Sequence, residues 1–187
     1  RAKETYIKFV IEADREGARD AVQDYDLRYP NIELFDELTI YLGDRKLFFL
    51  SLPGPTSNSV GLYIPDSKVL FSGDVVMNNY RPYLGLASIE EWLATLEWIE
   101  SMEVEQIVPG HGDPLGVEGL PAIAEYLELM QERVHTLIDE GRSRDEVVSK
   151  MMPHFEEWPI DNTRRDEERN LYRQGVRQLF DTITGRK

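Results

Sequence analysis

Apolar and polar positions change rhythm several times along the chain. From Arg1 to about Asp24 the apolar residues Tyr6, Phe9, Val10, Ala13, Ala18 and Val22 fall near helical spacing, which predicts a helix broken near Gly17. Tyr25 to Asp36 contains Pro30 and Asn31 and reads as a loop. The period then drops to two. Glu37-Leu38-Thr39-Ile40-Tyr41-Leu42 alternates, Gly43-Asp44 turns the chain, and Lys46-Leu47-Phe48-Phe49-Leu50 returns, so a hairpin with one face on a core is expected. A turn at Pro53–Ser59 leads into the strand Val60-Gly61-Leu62-Tyr63-Ile64. Pro65-Asp66-Ser67 then folds that strand back, antiparallel, into Lys68-Val69-Leu70-Phe71.

Beyond Ser88 the rhythm is helical. Ser88 with Glu91 three residues on forms a cap, and Trp92, Leu93, Leu96, Trp98 and Ile99 would bury one face against the sheet. Glu105-Gln106-Ile107-Val108 reads as one more short buried strand. From Leu120 onward helices are expected over 121–140 (ending near Gly141), 143–152 (with Ser143 and Glu146 as a capping pair) and 163–184. The fold class is therefore α/β. Residues 1–118 carry the strands, and 119–187 form a helical extension packed on the same domain. No internal repeat or low-complexity stretch interrupts them.

At 187 residues the chain can bury a sizeable core, and a formal charge of −14 would repel nucleic acid and anionic membrane surfaces. No stretch approaches the roughly 18 apolar residues of a membrane span. Zero cysteines exclude disulfides and thiolate ligands, so any zinc or iron must be held by His, Asp and Glu. Their absence fits a cytoplasmic protein. No signal-peptide pattern is present. The chain opens on Arg1 and not on a methionine, in mid-helix rhythm, and together with a family motif missing from its N-terminal side (below) this suggests the C-terminal part of a longer protein.

The candidate chemistry lies in two phrases, Leu70-Phe71-Ser72-Gly73-Asp74 and Val108-Pro109-Gly110-His111-Gly112. In each, an apolar strand stops at a glycine turn and a metal-capable side chain sits just past its end. Such a turn holds a ligand still and leaves it open to solvent and substrate. Ser-Gly-Asp is also ordinary turn chemistry, so Asp74 alone reads as a turn aspartate; imidazole between two glycines is less expected of a plain turn. Together, Asp74 and His111 point to a metal. The following loop, Val75–Tyr83, carries Asn79, Tyr80 and Arg81 along the edge of this place, and the Pro53–Ser59 turn offers Ser57 and Asn58. Ser57, Asn58, Asn79 and Tyr80 are candidate substrate-side residues, and each is equally at home on an ordinary surface. His135 and His154 have no ligand-spaced neighbours and read as packing or surface histidines.

The order of these elements from about Leu38 to Gly116 resembles the metallo-β-lactamase-fold hydrolases: the hairpin, the Val60 strand, Val-Leu-Phe-Ser-Gly-Asp, a helix with Glu91-Trp92-Leu93, and Val-Pro-Gly-His-Gly-Asp. The resemblance implies an αββα sandwich, of which this chain supplies mostly the second sheet together with a C-terminal helical extension. It implies that Asp74 bridges two metal ions and His111 ligates one, making both catalytic and metal-binding. The ions would be one or two zincs, with iron or manganese as alternatives. Asp113 is a candidate to orient His111.

The segment Asp166–Leu179, with Asn170-Leu171-Tyr172, resembles a helix that some members carry over the entrance, which makes Tyr172 a substrate-side candidate. The chain also departs from the family. The motif His-x-His-x-Asp-His occurs nowhere, the only histidines being His111, His135 and His154. Pro55 stands where a further histidine ligand would fall, or a His-Thr pair is deleted there, so one metal site is expected to be weakened, shifted or absent.

The implied activity is attack by a metal-activated water on a small ester, lactone, thioester or lactam. The rival reading is a non-catalytic or truncated member acting as a binding module. The expected partners are a small-molecule substrate and a cover for an otherwise exposed apolar sheet face, supplied by a missing N-terminal half or by a second copy in a homodimer.

Overall fold

A computed structural model describes residues 30–160 and 162–186. The helix expected over the first 24 residues lies outside them. The alternating segments form the strands their period demands: β1 (Glu37–Leu42), β2 (Arg45–Ser51), β3 (Val60–Ile64), β4 (Val69–Met77) and β5 (Gln106–His111). They join in chain order into one five-stranded sheet, with β1 to β4 antiparallel and β5 parallel to β4. Between the parallel pair runs α1 (Ile89–Ser101), as a parallel connection requires. Three further helices follow: α2 (Leu120–Asp139), α3 (Arg144–Met151) and α4 (Arg165–Thr184).

The caps read from the sequence are present. The Ser88 hydroxyl accepts from the Glu91 N–H at the start of α1, and Ser143 with Glu146 forms a reciprocal capping box on α3.

Register decides which face of the sheet is buried. Phe48, Tyr63, Leu70 and Ile107 lie directly opposite one another and point toward the helices. Leu70 and Ile107 are wholly buried there, with Trp92 and Ile99 of α1 and Leu127 of α2. This apolar cluster continues without a break into α3 and α4, taking in Val147, Met151, Val176 and Phe180, so no change of core accompanies the change of secondary structure near residue 118. The opposite face carries a second apolar row, Leu38, Phe49, Leu62, Phe71 and Val108, and Phe71 keeps 42% of its surface exposed.

Two expectations need correction. Trp98 does not join the buried face of α1; it is 43% exposed, because it lies beyond the arc set by Trp92, Leu96 and Ile99. The two key strands also run further than their apolar stretches. β4 continues through Asp74 to Met77, and β5 includes His111 as its last residue, so neither side chain lies past a strand end. The strands extend because Ser72 is accommodated as a bulge. Phe71 pairs with Val108 and Gly73 with Pro109, leaving Ser72 as the extra residue opposite a proline that has no N–H to give. The buried Ser72 hydroxyl is within reach of the Val108 and Gly73 carbonyls, across the gap in the ladder.

Candidate metal centre

Because β4 and β5 are parallel neighbours, their C-terminal ends lie on the same edge of the sheet, and this brings Asp74 and His111 together. Asp74 Oδ1 lies 3.6 Å from His111 Nε2, with the two side chains 56% and 52% exposed. The approach depends on the glycines of the second phrase. A Cβ on Gly110 would sit 2.2 Å from Asp74 Oδ1, so a glycine is what admits the carboxylate. Gly112 has φ +91°, and a Cβ there would fall 1.9 Å from the Asn78 carbonyl oxygen. That closeness lets the Asn78 N–H donate to the His111 carbonyl at 2.9 Å and fix the backbone of the histidine.

The loop after β4 closes on the same corner. Asn79 adopts φ +59°, a left-handed conformation that asparagine tolerates better than most residues. It turns the chain so that the half-exposed ring of Tyr80 lies 5.4 Å from the His111 imidazole, tilted by 38°. The next residue anchors the loop. The Arg81 side chain is almost fully buried, donates to the Phe155 carbonyl at 2.9 Å, and lies over the Phe155 ring at 4.2 Å. Burial lowers its pKa from the ordinary arginine value, and the nearby Glu168 carboxylate opposes that fall.

Two α1 side chains hold the floor. The Trp92 indole N–H donates to the carbonyl of Val75, next to Asp74, at 2.9 Å, and the Thr95 hydroxyl donates to the Pro53 carbonyl at 2.6 Å. The sequence marked Trp92 only as core. Its donor role has no sequence signal beyond the rule that a buried indole needs an acceptor.

The remaining candidates are placed as follows. Ser57 and Asn58 are exposed at the tip of the Pro53–Ser59 turn, whose Thr56 and Ser59 hydroxyls bond each other at 2.9 Å. Pro55 is buried in that turn and has no donor atom to offer a metal. Asp113 does not orient His111 through its carboxylate; instead its carbonyl accepts from the Asn78 side-chain amide at 2.9 Å. Tyr172 is only 5% exposed, and its hydroxyl donates to the Met151 carbonyl at 3.1 Å, so it lies in the core beneath Arg81 and does not project into an opening. His154 pairs through Nδ1 with Glu157.

A profile of the metallo-beta-lactamase superfamily matches residues 6–111, more than half of the chain. The chain belongs to that superfamily. The fold agrees. A metallo-beta-lactamase family protein from Thermus thermophilus superposes with a TM-score of 0.67 at 14% identity, covering 97% of this chain and 60% of that one. Among named relatives, the acyl-coenzyme A thioesterase MBLAC2 of Homo sapiens is 35% identical over 100 residues, 51% of this chain and 36% of its own length. A linear primary-alkylsulfatase of Pseudomonas sp. is 26% identical over 135 residues, 64% of this chain and 25% of its own. The chain thus spans about a third or less of these relatives.

Members of the superfamily typically bind zinc, and two of this chain's side chains have the spacing for it. Donors at about 2.0–2.1 Å from a tetrahedral zinc lie roughly 3.4 Å apart, close to the Asp74–His111 separation. Three protein ligands are the usual minimum for a catalytic zinc, and among the described residues no group of three or more His, Asp or Glu could hold an ion. The described residues therefore bring together at most two such donors. Among them no helix is long and apolar enough to cross a membrane.

Proposed function

We propose that this chain contributes one half of the active site of a metal-dependent hydrolase acting on a small thioester, with ester, lactone and lactam substrates as neighbours in reactivity. The observation that carries this reading is the 3.6 Å approach of Asp74 to His111 at the ends of adjacent parallel strands, both open to solvent. The thioester preference rests on the acyl-coenzyme A thioesterase among the relatives. The remaining ligands would come from a segment outside these 187 residues, and the same segment would cover the apolar row through Phe71.

Asp74 and His111 would hold the ion, zinc by preference, with iron or manganese as substitutes. The ion's chemistry would be to acidify a bound water to near neutrality and polarise the scissile carbonyl. The chain's own residues supply position and shape. Gly110 lets the carboxylate approach, the Asn78 N–H and the Tyr80 ring hold His111, and Trp92 holds the backbone beside Asp74. Ser57, Asn58, Asn79 and Tyr80, all exposed, are proposed to meet the substrate. Tyr172 is proposed only as support for Arg81, through the Arg81–Tyr172 contact at 5.3 Å.

The rival reading is a binding module in which the pair is a relic. As a bare surface contact, two groups this exposed are worth about 0–1 kcal/mol. The test is zinc titration by calorimetry, together with thiol release from an acyl-coenzyme A, on protein that carries the remaining ligand segment, as wild type, Asp74→Asn and His111→Ala. These 187 residues hold no cysteine and so add nothing to the background of a thiol reagent. Zinc binding that both variants lose without a fall in thermal midpoint supports the ligand roles. Unchanged zinc binding in both variants refutes them.

A further inference from the structure

The segment between β4 and α1, residues 78–88, is a strap tied down at both ends. At its start the Asn78 N–H donates to the His111 carbonyl and the Asn78 side-chain amide to the Asp113 carbonyl, each at 2.9 Å. At its finish the Ser88 N–H donates to the Gly54 carbonyl at 2.9 Å. Between these ties the strap rests on the helical block. The Tyr83 hydroxyl donates to Gln174 Oε1 at 3.3 Å. Leu84 packs so closely on Gly175 of α4 that a Cβ there would lie 3.1 Å from the leucine Cβ.

Arg81 reaches deepest. Its guanidinium donates to the Phe155 carbonyl at 2.9 Å and lies 4.2 Å from the Phe155 ring centre and 5.3 Å from that of Tyr172. It also comes within 4.0 Å of the Glu168 carboxylate, and only 8% of the side chain is exposed. The backbone carries this anchorage to the next side chain. Pro82 biases Arg81 toward an extended conformation, in which neighbouring side chains point to opposite sides, and Asn79 at φ +59° sets the bend before Tyr80. With Arg81 sunk into the helical block, Tyr80 stays 45% exposed with its ring 5.4 Å from the His111 imidazole.

We infer that Arg81 is a positioning residue through which the helical block sets Tyr80 against His111. An apolar side chain would fill the same place without the cost of desolvating a cation. The guanidinium contributes direction instead: a planar fork fixed by a carbonyl, a ring face and a carboxylate holds one orientation, which a hydrocarbon does not. For its functional meaning this role rests on the reading of His111 as a metal ligand; the contacts themselves involve no metal.

The test uses the protein of the zinc titration above, as wild type, Arg81→Lys and Arg81→Met. In the metal-free state the nuclear Overhauser signal between the Tyr80 and His111 rings, assigned by its absence in Tyr80→Leu, is expected in wild type. It should weaken in Arg81→Lys and vanish in Arg81→Met. Lysine keeps the buried charge but cannot lie flat on the Phe155 ring while donating to its carbonyl, so it rescues only in part. Zinc should bind Arg81→Met about tenfold more weakly than wild type, as when a ligand's supporting contact is removed. A lowered thermal midpoint with the ring–ring signal at wild-type strength in both variants would make Arg81 a structural residue only and overturn the inference. A signal absent from wild type would overturn it too, as would unchanged zinc affinity in a variant that has lost the signal. If Arg81→Met does not fold, Arg81→Lys decides: a weakened signal upholds the role and a wild-type signal ends it. Wild type that shows the signal but binds no zinc would refute the ligand reading, while the variants' signals still decide the positioning role.

Discussion

Gly110→Ala is the substitution that most directly tests how the two strands hold the candidate ligands. The new methyl group would lie 2.2 Å from Asp74 Oδ1, 2.7 Å from the Gly73 carbonyl carbon and 2.8 Å from the Asp74 nitrogen. Rotating the carboxylate away relieves only the first contact. The other two are backbone contacts, so β4 and β5 must also move apart near Asp74. Overpacking of this kind costs about 1–3 kcal/mol, which for a chain of this size lowers the thermal midpoint by about 2–12 °C. Gly110 is not among the residues with positive φ, so alanine brings no conformational penalty and the loss is steric. The carboxylate would no longer lie 3.6 Å from His111, and zinc affinity should fall about tenfold or more, as when a ligand's supporting contacts are removed. Urea unfolding and zinc calorimetry on the same preparations measure both effects. An alanine variant with an unchanged urea midpoint and unchanged zinc affinity would show that the strands do not hold Asp74 against His111 as described.

Trp92→Phe keeps the ring volume nearly constant but leaves the buried Val75 carbonyl without its 2.9 Å donor; urea unfolding should show a loss of about 1–3 kcal/mol, and none would mean that water replaces the indole. Glu146 gives a pH prediction. The Ser143 hydroxyl first, and then its N–H, hold the carboxyl below its ordinary value of 4.5, so the cap's contribution is complete above that value and is lost as pH falls through it and past the folded pKa. Melts at pH 6 and at about pH 3.5 should therefore show a larger drop in wild type than in Glu146→Gln, and equal drops would remove the cap from the account.

Much of this architecture was legible because its signals are local. The period-two segments became β1 to β3 with bounds within a residue of those expected, and Ser88 and the Ser143–Glu146 pair became caps. The extension of β4 and β5 was not legible. Gly73 and Pro109 signal a break, and only the parallel partner strand and the Ser72 hydroxyl carry the chain across it. Trp98 was misplaced because helical spacing admits a wider arc than two covering layers leave room for. At the site, the residue types could be read, but the means of holding them could not. Nothing in the sequence ties Asn78 to the His111 carbonyl or the Trp92 indole to Val75, since these bonds join segments far apart in the chain.

The backbone around the Asp74–His111 pair bears on whether the pair is a working feature or a relic. Gly73 has φ +54°, Asn79 has φ +59°, and Gly112 has φ +91°, and Ser72 bulges out of the ladder between them. Glycine adopts positive φ freely, but Asn79 held there costs free energy that the surroundings must offset, and such residues collect where a site requires them. A surface contact between two side chains as exposed as Asp74 and His111, worth about 0–1 kcal/mol, does little to offset it. Gly110 adds to the constraint, since a Cβ there would meet both the carboxylate and the β4 backbone. If the pair were idle, an ordinary turn at Asn79 would relieve its left-handed conformation at no cost in function. That this chain keeps it favours the ligand reading over the relic. It also makes a distinguishing prediction: Asn79→Gly, which relaxes the left-handed residue, should be neutral or slightly stabilising in urea yet weaken zinc binding by freeing Tyr80 from His111. Equal zinc affinity in Asn79→Gly and wild type would return the corner to ordinary turn chemistry.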